Sequence, residues 1–296
     1  MMCCGKPSIS AWSASALDNK SLLKKHSVIR KTVQGSFGFL QNANVNGFLK
    51  GTIYQGPLKR FCVPGMNCYS CPGAVASCPL GSLQTGLLSS RYKYPYYILG
   101  TILLLGIILG RFICGFLCPF GLFQELIYKI PLPKLKKNRY TRALSYMKYI
   151  ILIFFVIAIP LVKLEPGFCK YICPAGTMEA GIPLVTYDPR IRRLAGYLFS
   201  WKVFILAVVI LACIICYRSF CRFICPLGAI YSFFAPVSAV GYKVDMDRCI
   251  NCSKCVESCL VDIHRVGDRE CIHCGACVKH CPVDAIKLRG TVNKEA

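Results

Sequence analysis

Three long apolar runs dominate the pattern of hydrophobic and polar positions along the chain. They cover residues 96–113, 147–164 and 199–217. Each run is long enough to cross about 30 Å of hydrocarbon as a helix. The pattern therefore predicts three membrane-spanning helices.

A fourth span is predicted over residues 28–49, where hydropathy alone gives a weak signal because the segment contains three Asn and three Gly residues. The loop 129–148 carries seven Lys or Arg residues, and the segment before residue 28 is also basic. The positive-inside rule places both on the cytoplasmic side. With residues 50–95 outside, an odd number of crossings must precede them, so 28–49 is expected to cross.

The predicted fold is mainly α, with a polytopic four-helix membrane domain built from a duplicated two-helix unit. A small α+β ferredoxin domain follows, in which the composition becomes polar and dense in Cys. The predicted organisation is a cytoplasmic tail (1–27), a membrane domain (28–241), a two-cluster ferredoxin domain (242–288) and a tail (289–296). We expect a multi-pass protein of the cytoplasmic (inner) membrane with both termini cytoplasmic and no cleaved signal peptide.

Composition supports a membrane protein. The 296 residues are 55% hydrophobic, and Lys plus Arg outnumber Asp plus Glu by 36 to 13. The mean hydropathy is +0.49. A basic chain can bind nucleic acid, but the apolar runs favour a membrane surface over that partner.

The cysteines indicate metal ligation. There are 22, many of them two or three residues apart and beside prolines, whereas disulfide scaffolds are short secreted chains. Residues 249–259 read CINCSKCVESC and residues 271–282 read CIHCGACVKHCP. Each is the Cys-x2-Cys-x2-Cys-x3-Cys run of bacterial two-cluster ferredoxins, in which the fourth Cys ligates the other cluster.

These runs predict two [4Fe-4S] clusters. One is expected on Cys249, Cys252, Cys255 and Cys281, and the other on Cys271, Cys274, Cys277 and Cys259. Structural zinc is the alternative, but two triplets of thiols exceed what tetrahedral zinc requires. The nearby His264, His273 and His280 are expected to be exposed polar residues.

Four Cys-Pro-x-Gly corners lie outside the ferredoxin runs, and their cysteines are Cys78, Cys118, Cys173 and Cys225. Proline suits the first position of a helix, so each cysteine is expected at a helix N-terminus, which favours an anionic group. A thiolate-ligated cluster is such a group. The corners therefore predict one or two further [4Fe-4S] clusters.

The inner site is the cluster site predicted on the cytoplasmic side, from two cysteines of each half. Its residues are Cys114, Cys118, Cys221 and Cys225. The alternative without a cofactor is two structural cysteine pairs that ligate no metal. The outer site is predicted on the other side from Cys71, Cys78, Cys169 and Cys173. Two alternatives are open for Cys62 and Cys68. They form a disulfide with each other, or they are outer-site ligands in place of Cys71 and Cys78.

Two other classes of cofactor are disfavoured. The chain has no Cys-x2-Cys-His for haem attachment, and no His lies in a predicted span, so we expect no haem. No Gly-x-Gly-x-x-Gly follows a strand, which argues against nicotinamide or adenine-dinucleotide binding in a Rossmann domain. Because about 30 Å of hydrocarbon is long for one tunnelling step, the inner and outer clusters must lie deep in the interface or be bridged by a quinone or partner flavin.

The motifs NCYSCPGA, CPLGSLQ, GRFICGFLCPFGL, FCKYICPAGT and CRFICPLGAIY, with the paired ferredoxin runs, resemble NapH/NosR-type membrane-bound polyferredoxins. The resemblance covers about residues 28–285. It implies four membrane helices with both ends cytoplasmic, and a two-cluster ferredoxin that passes electrons between the quinone pool or a soluble carrier and a partner reductase. The extra CKYICP corner departs from the quinol-dehydrogenase members of the family.

The leading functional hypothesis is a membrane-bound iron–sulfur relay, the electron-transfer subunit of a membrane oxidoreductase. A soluble ferredoxin or flavoprotein is the expected donor, and a quinone or partner reductase the expected acceptor. The alternatives are a redox-sensing regulatory or assembly protein, or a membrane reductase of an external metal ion. The last is weakened because the outer loops lack the His and Met clusters of a copper site.

Overall fold

A computed structural model describes residues 27–88, 96–135 and 137–289 of the chain. Within these residues the fold is mostly helical, with a single two-stranded sheet. The predicted tails, up to residue 26 and from residue 290, lie outside the described residues.

The helices up to the second corner are 27–41, Val45–Lys50, Pro79–Leu88, Tyr96–Ile108, Phe112–Phe116 and Pro119–Ile127. Those of the middle segment are Arg139–Leu144, Met147–Ile151, Ile159–Lys163, Gly167–Tyr171, Pro174–Gly176, Ile182–Tyr187 and Pro189–Leu194. The remaining α-helices are Tyr197–Ile215, Ser219–Phe223, Pro226–Phe234 and Lys254–Glu257. Leu152–Ala158 and Thr177–Gly181 wind as π-helix, and Pro57–Arg60 and Ala276–His280 as 3-10 helix.

Two of the described helices are long and apolar enough to cross a membrane. They are Tyr140–Lys163, which contains the π-helical segment, and Tyr197–Ile215. The helix Tyr96–Ile108 has 13 residues, so it is shorter than the predicted span 96–113. It is followed by a turn in which Gly110 adopts a φ of 50°, a left-handed conformation that favours glycine.

The predicted first span is also shorter than expected. Residues 28–49 form two helices, 27–41 and Val45–Lys50, that are interrupted at residues 42–44. Asn42 and Asn44 lie in this break, and their amides donate to the carbonyls of Gly38 and Pro72. The Asn42 bond is a local side-chain bond of the kind that competes with a continuous helix, and the Asn44 bond ties the break to a distant loop. A four-helix membrane domain therefore remains a prediction.

Each Cys-Pro-x-Gly corner starts a helix at its proline, as the motif predicts. The four helices begin at Pro79, Pro119, Pro174 and Pro226. In three of the corners a helix of five residues comes first, so that two cysteines flank the bend; these helices are Phe112–Phe116, Gly167–Tyr171 and Ser219–Phe223. The corner geometry thus presents pairs of thiols at the start of a helix.

One buried cluster forms the centre of the molecule. It contains thiols from the predicted inner site, the predicted outer site and the C-terminal domain, packed with Phe120, Phe168 and Phe220. The C-terminal domain contributes Val261, Ile263 and Ile272 to it. The ferredoxin domain is therefore packed onto the helical part.

The C-terminal domain is held by one antiparallel pair of strands, Tyr242–Val244 and Ile286–Leu288. Tyr242 and Ile286 are buried there with Val266, and Cys255, Cys277 and Cys281 pack against them. The pairing brings the two ends of the domain together, so that the two cysteine runs face each other.

Candidate iron–sulfur sites

The second ferredoxin run and the last cysteine of the first run line one cavity. Its wall includes the predicted set of Cys259, Cys271, Cys274 and Cys277. Burial raises the pKa of the Cys259 thiol to about 12, and the neighbouring thiols of Cys274 and Cys271 contribute. The fold thus brings together thiols that lie up to 18 residues apart in sequence.

The first ferredoxin run forms a more open group. Cys252 is exposed, and Cys249, Cys255 and Cys281 are half-buried. Burial raises the pKa of the Cys255 thiol, and the nearby thiols of Cys252 and Cys281 add to the effect. The thiol of Cys281 accepts a hydrogen bond from the amide of Ala285 at 3.2 Å. Cys281 belongs to the second run, but its thiol lies near Cys255 of the first run, with which it is predicted to share a cluster.

His273 was expected to be exposed, and this expectation is wrong. Its side chain is fully buried beside the second ferredoxin group, and its Nδ1 accepts the amide of Tyr242 at 3.0 Å. Burial lowers its pKa to about 4, so the ring is neutral at pH 7. Packing between the strand and the cysteine loop explains the burial, which the polar surroundings in the sequence do not indicate.

The four cysteines of the predicted inner site converge. All four are buried. Burial raises the pKa of the Cys221 thiol to about 12, and the thiols of Cys118 and Cys114 lie close enough to add to it. The pKa of Cys225 is raised by burial and by the thiols of Cys221, Cys114 and Cys118.

The thiols at the corners receive backbone hydrogen bonds, as expected at a helix N-terminus. The amide of Gly228 donates to Sγ of Cys225 at 3.3 Å, and the amide of Gly176 donates to Sγ of Cys173 at 3.3 Å. These bonds favour the thiolate, the form of cysteine that ligates iron. The third residue after each of these cysteines is therefore a donor to it.

Two fully buried arginines bracket the inner site. Each lies three residues before the first cysteine of a corner, and each donates to the carbonyl of the other half. Arg111 Nη2 lies 3.5 Å from the Cys221 carbonyl, and Arg218 Nη1 donates to the Cys114 carbonyl. Positive charge at this position compensates the negative charge of clustered thiolates.

The structure places the Cys68 thiol near three of the thiols predicted for the outer site, those of Cys78, Cys169 and Cys173. Burial raises the pKa of Cys68 to about 12, and Glu179 and the thiols of Cys169 and Cys78 add to it. The pKa of Cys173 is raised by burial and by the thiols of Cys169, Cys68 and Cys78. A Cβ at Gly176 would lie 3.5 Å from Cys68 Sγ and 3.6 Å from Cys173 Sγ.

Cys71, which the sequence-based choice included, points elsewhere. Its thiol donates to Asn42 Oδ1 at 3.6 Å, and it packs with Ala74 and Ala180 in a second buried cluster, against which Cys68 also packs. The structure therefore groups Cys68, Cys78, Cys169 and Cys173. Cys62 is half-buried and is a free thiol, so it is not paired with Cys68 in a disulfide.

The outer thiols line a cavity of about 1040 Å³. Its wall contains Cys62, Cys68, Cys78, Cys169 and Cys173. Lys59 and Lys202 also contribute to the wall. The Lys202 ammonium donates to the carbonyl of Cys169 at 3.3 Å. The cavity thus combines clustered thiols with positive charge.

The inner and outer sites share Met66. This residue lines the outer cavity, and its Sδ lies 3.6 Å from Cys225 Sγ of the inner site. A Cβ at the preceding residue, Gly65, would lie 3.1 Å from Cys118 Cα. The residues of the two predicted sites are therefore in contact through Met66.

The residues fit [4Fe-4S] clusters by their donor chemistry. Each site offers converging thiols, and corner thiols of both receive amide hydrogen bonds, which stabilise cluster sulfur. Within residues 27–88, 96–135 and 137–289, no three His, Cys, Asp or Glu side chains lie close enough to hold one metal ion. A cubane needs more widely spaced thiols, because four irons and four sulfides stand between them.

Several buried residues around these sites were not identified from the sequence. They are Arg111, Arg218, Glu125, Gln84 and Gln124. A repeated offset from the corner cysteines was the available signal: the arginines lie at Cys114−3 and Cys221−3, and the glutamines at Cys78+6 and Cys118+6.

Comparison with family models identifies iron–sulfur domains in both parts of the chain. A model described as a 4Fe-4S binding domain matches residues 95–138, 147–182 and 197–240. A second model of the same description matches residues 266–287. The first covers three of the four corners, and the second covers the last ferredoxin run.

Two similar proteins come from Methanocaldococcus jannaschii. Uncharacterized protein MJ0749 is 26% identical over 250 residues, which are 82% of this chain and 78% of that protein. Uncharacterized protein MJ0750 is 26% identical over 193 residues, which are 63% of this chain and 74% of that protein. No solved structure matches the chain.

A third similar protein is the Putative electron transport protein YccM of Escherichia coli K12. It is 24% identical over 183 residues, which are 60% of this chain, and the match spans about half (49%) of YccM. The domain matches and this relative support iron–sulfur electron transfer as the chemistry of the chain.

Proposed function

We propose that the chain is a membrane-bound relay of single electrons. Its ferredoxin domain exchanges electrons with a soluble ferredoxin or flavoprotein, the inner site passes them into the membrane domain, and the outer site delivers them to a quinone or a partner reductase. It would act as the electron-transfer subunit of a membrane oxidoreductase of NapH/NosR type. Four [4Fe-4S] clusters would be held, on the two ferredoxin groups, the inner site and the outer site.

The main observation behind this proposal is that the cysteine sets of the ferredoxin domain, the inner site and the outer site pack into one buried core. The ferredoxin backbone at Ile272 packs so closely on Gly115 that no side chain fits there. Gly115 directly follows Cys114 of the inner site, and Met66 then connects the inner site to the outer cavity. Because tunnelling rates fall steeply with distance, adjacency of this kind is what a relay requires.

Exposed apolar surface supports the membrane location. Only 28% and 22% of the apolar windows in Tyr140–Lys163 and Tyr197–Ile215 are buried inside the molecule. Large side chains such as Ile150, Phe154 and Phe204 are exposed on these helices. A soluble protein rarely exposes so much contiguous apolar surface, whereas a bilayer would cover it.

Iron quantitation and redox titration of the anaerobically purified full chain test the proposal. We expect about four clusters in the wild type, and the loss of one in both Cys114→Ser and Cys221→Ser. Cys216→Ser is the control, because Cys216 is also buried but accepts from Arg222 at 3.3 Å. Two clusters in the wild type, both in the ferredoxin domain, would contradict the proposal.

Transfer itself is tested in proteoliposomes. A reduced ferredoxin-type donor on the side of the C-terminal domain is expected to reduce a quinone or an opposite-side acceptor through the wild type. The Cys114→Ser protein should fail to do so while its ferredoxin clusters are still reduced. Failure of the fully loaded wild type would favour a redox-sensing role.

A further inference from the structure

Two glutamines occupy the same place in the helices that follow the first two corners. Gln84 is the sixth residue after Cys78, in CPLGSLQ, and Gln124 is the sixth residue after Cys118, in CPFGLFQ. Their helices are Pro79–Leu88 and Pro119–Ile127. Both side chains are fully buried (0% exposed), so each carboxamide must find its partners inside the protein.

Each carboxamide bonds a thiol from a later corner. Gln84 Nε2 donates to Cys169 Sγ at 3.2 Å, and Gln124 Nε2 donates to Cys221 Sγ at 3.0 Å. Cys169 and Cys221 are the first cysteines of their Cys-x3-Cys-Pro motifs. The outer and inner sites therefore receive the same kind of bond at equivalent thiols.

The acceptor side of each carboxamide is also fixed. Gln84 Oε1 accepts the amide of Phe168 at 3.0 Å, and Gln124 Oε1 accepts the amide of Cys221 at 3.4 Å. Rotating either carboxamide by 180° would set its NH₂ against a backbone N–H and its oxygen against the thiolate. Both contacts would be repulsive, so the orientation with N–H toward sulfur is the stable one.

The second-half corners have different residues at this offset. Glu179 is the sixth residue after Cys173, and it accepts the amide of Cys68 at 2.8 Å. Tyr231 is the sixth residue after Cys225, and its hydroxyl donates to the Pro64 carbonyl at 3.0 Å. Among the described residues, the side chain at this offset forms a hydrogen bond to the other half of the membrane domain in all four corners. Only the two glutamines donate to sulfur.

We infer that Gln84 and Gln124 are a duplicated pair of tuning residues that raise the reduction potentials of the outer and inner clusters, respectively, through N–H···S bonds to Cys169 and Cys221. Reduction adds one electron without making or breaking a bond, and part of the added negative charge spreads onto the ligating sulfurs. A donor to sulfur stabilises the reduced state more than the oxidised state. The inference rests on the proposed function.

The test is a redox titration of the purified full chain, followed by electron paramagnetic resonance. Gln84→Leu and Gln124→Leu remove the donor. Gln84→Glu and Gln124→Glu keep the side-chain shape and an acceptor for the backbone amide. We expect the Gln84 variants to shift one centre to a more negative potential and the Gln124 variants to shift a different one. The two ferredoxin centres should not move.

Gln41→Leu is the matched control. Gln41 is also buried, and neither its Nε2 nor its Oε1 has a partner among the described residues. It is expected to leave all potentials unchanged. A shift in Gln41→Leu as large as in the other variants would overturn the inference, because loss of a buried polar group alone would then explain the effect.

The outcomes separate this inference from the proposed function. A wild type with only two clusters would overturn both. A wild type with four clusters, and unmoved or raised potentials in the Gln84 and Gln124 variants, would overturn the tuning role alone. If the Leu variants lose a cluster, the isosteric Glu variants decide between a role in tuning the potential and a role in cluster assembly. Loss in these as well would overturn the tuning role, since the carboxamide would then serve assembly.

Discussion

The carboxylate of Glu125 accepts two hydrogen bonds from the guanidinium of Arg218, from Nη2 at 2.7 Å and from Nε at 3.0 Å. Both side chains are buried. Arg30 donates to the other carboxylate oxygen at 2.7 Å, which ties helix 27–41 to the inner site. Since Arg218 also contacts the Cys114 carbonyl, this ion pair positions the backbone that carries an inner thiol.

Removal of the Glu125 charge is expected to destabilise the protein strongly. Glu125→Gln leaves Arg218 and Arg30 as buried cations without a counter-charge, and breaking a buried pair in this way costs about 3–5 kcal/mol. Denaturant unfolding in detergent measures the loss. Glu165→Gln is the control, because the Glu165–Lys170 pair is on the surface, where screening by solvent leaves an ion pair with little effect on stability. Equal losses in both variants would contradict the prediction.

The same pair predicts a dependence of stability on pH. Burial opposes the ionisation of Glu125, but the charges of Arg218 and Arg30 outweigh burial and lower its pKa from 4.5 to about 2. A lowered pKa in the folded state gives stability that is present above pH 4.5 and is lost as the pH falls toward 2. The stability difference between wild type and Glu125→Gln should therefore be constant above about pH 5.5 and shrink below it. A difference that grew on acidification would contradict this assignment.

Local features of the corners were predictable from the sequence because they depend on neighbouring residues. A proline after the cysteine can start a helix and a Gly three residues on can donate to sulfur, whatever the rest of the chain does. The partnership of Glu125 with Arg218 was not predictable, because the residues are 93 positions apart and no pattern links them. The nearness of the inner and outer sites was one of two arrangements that the sequence left open. It depends on the contact between the loop that carries Met66 and Cys225 of the inner site, and a hydropathy pattern does not indicate such a contact.

The choice of outer ligands shows the same limit at short range. Cys68 and Cys71 are three residues apart, and both belong to NCYSCPGA. In the structure the Cys68 thiol lies with that of Cys173 beside Gly176, whereas the Cys71 thiol donates to Asn42. The spacing of the first half had already diverged from Cys-x3-Cys, so the repeat could not decide between them.

This difference gives a direct prediction for the outer site. Cys68→Ser should lose the iron of one cluster, since Cys68 lies with Cys173 beside Gly176. Cys71→Ser should keep all clusters, because its thiol donates to Asn42 and not toward the other outer thiols. Iron and acid-labile sulfide per chain measure both. The reverse result, with loss in Cys71→Ser and retention in Cys68→Ser, would restore the sequence-based choice.

Docking of the ferredoxin domain is predicted to depend on Glu270. Its carboxylate accepts from Arg111 at 2.9 Å and forms a second ion pair with Lys148, both from the helical part. Arg111 also contacts the Cys221 carbonyl of the inner site, so Glu270 fixes the domain directly over that site. Glu270→Gln should therefore loosen the contact without removing a cluster ligand.

The expected result for Glu270→Gln is a slower electron transfer from the ferredoxin clusters to the inner cluster, with unchanged iron content. Rapid-mixing reduction followed by absorbance and paramagnetic resonance measures the order in which the centres fill. Glu257→Gln is the matched control, since Glu257 is an exposed carboxylate of the same domain. If transfer were equally fast in wild type, variant and control, the packing of Ile272 on Gly115 would suffice to hold the domain, and the ion pairs would not be needed for the relay.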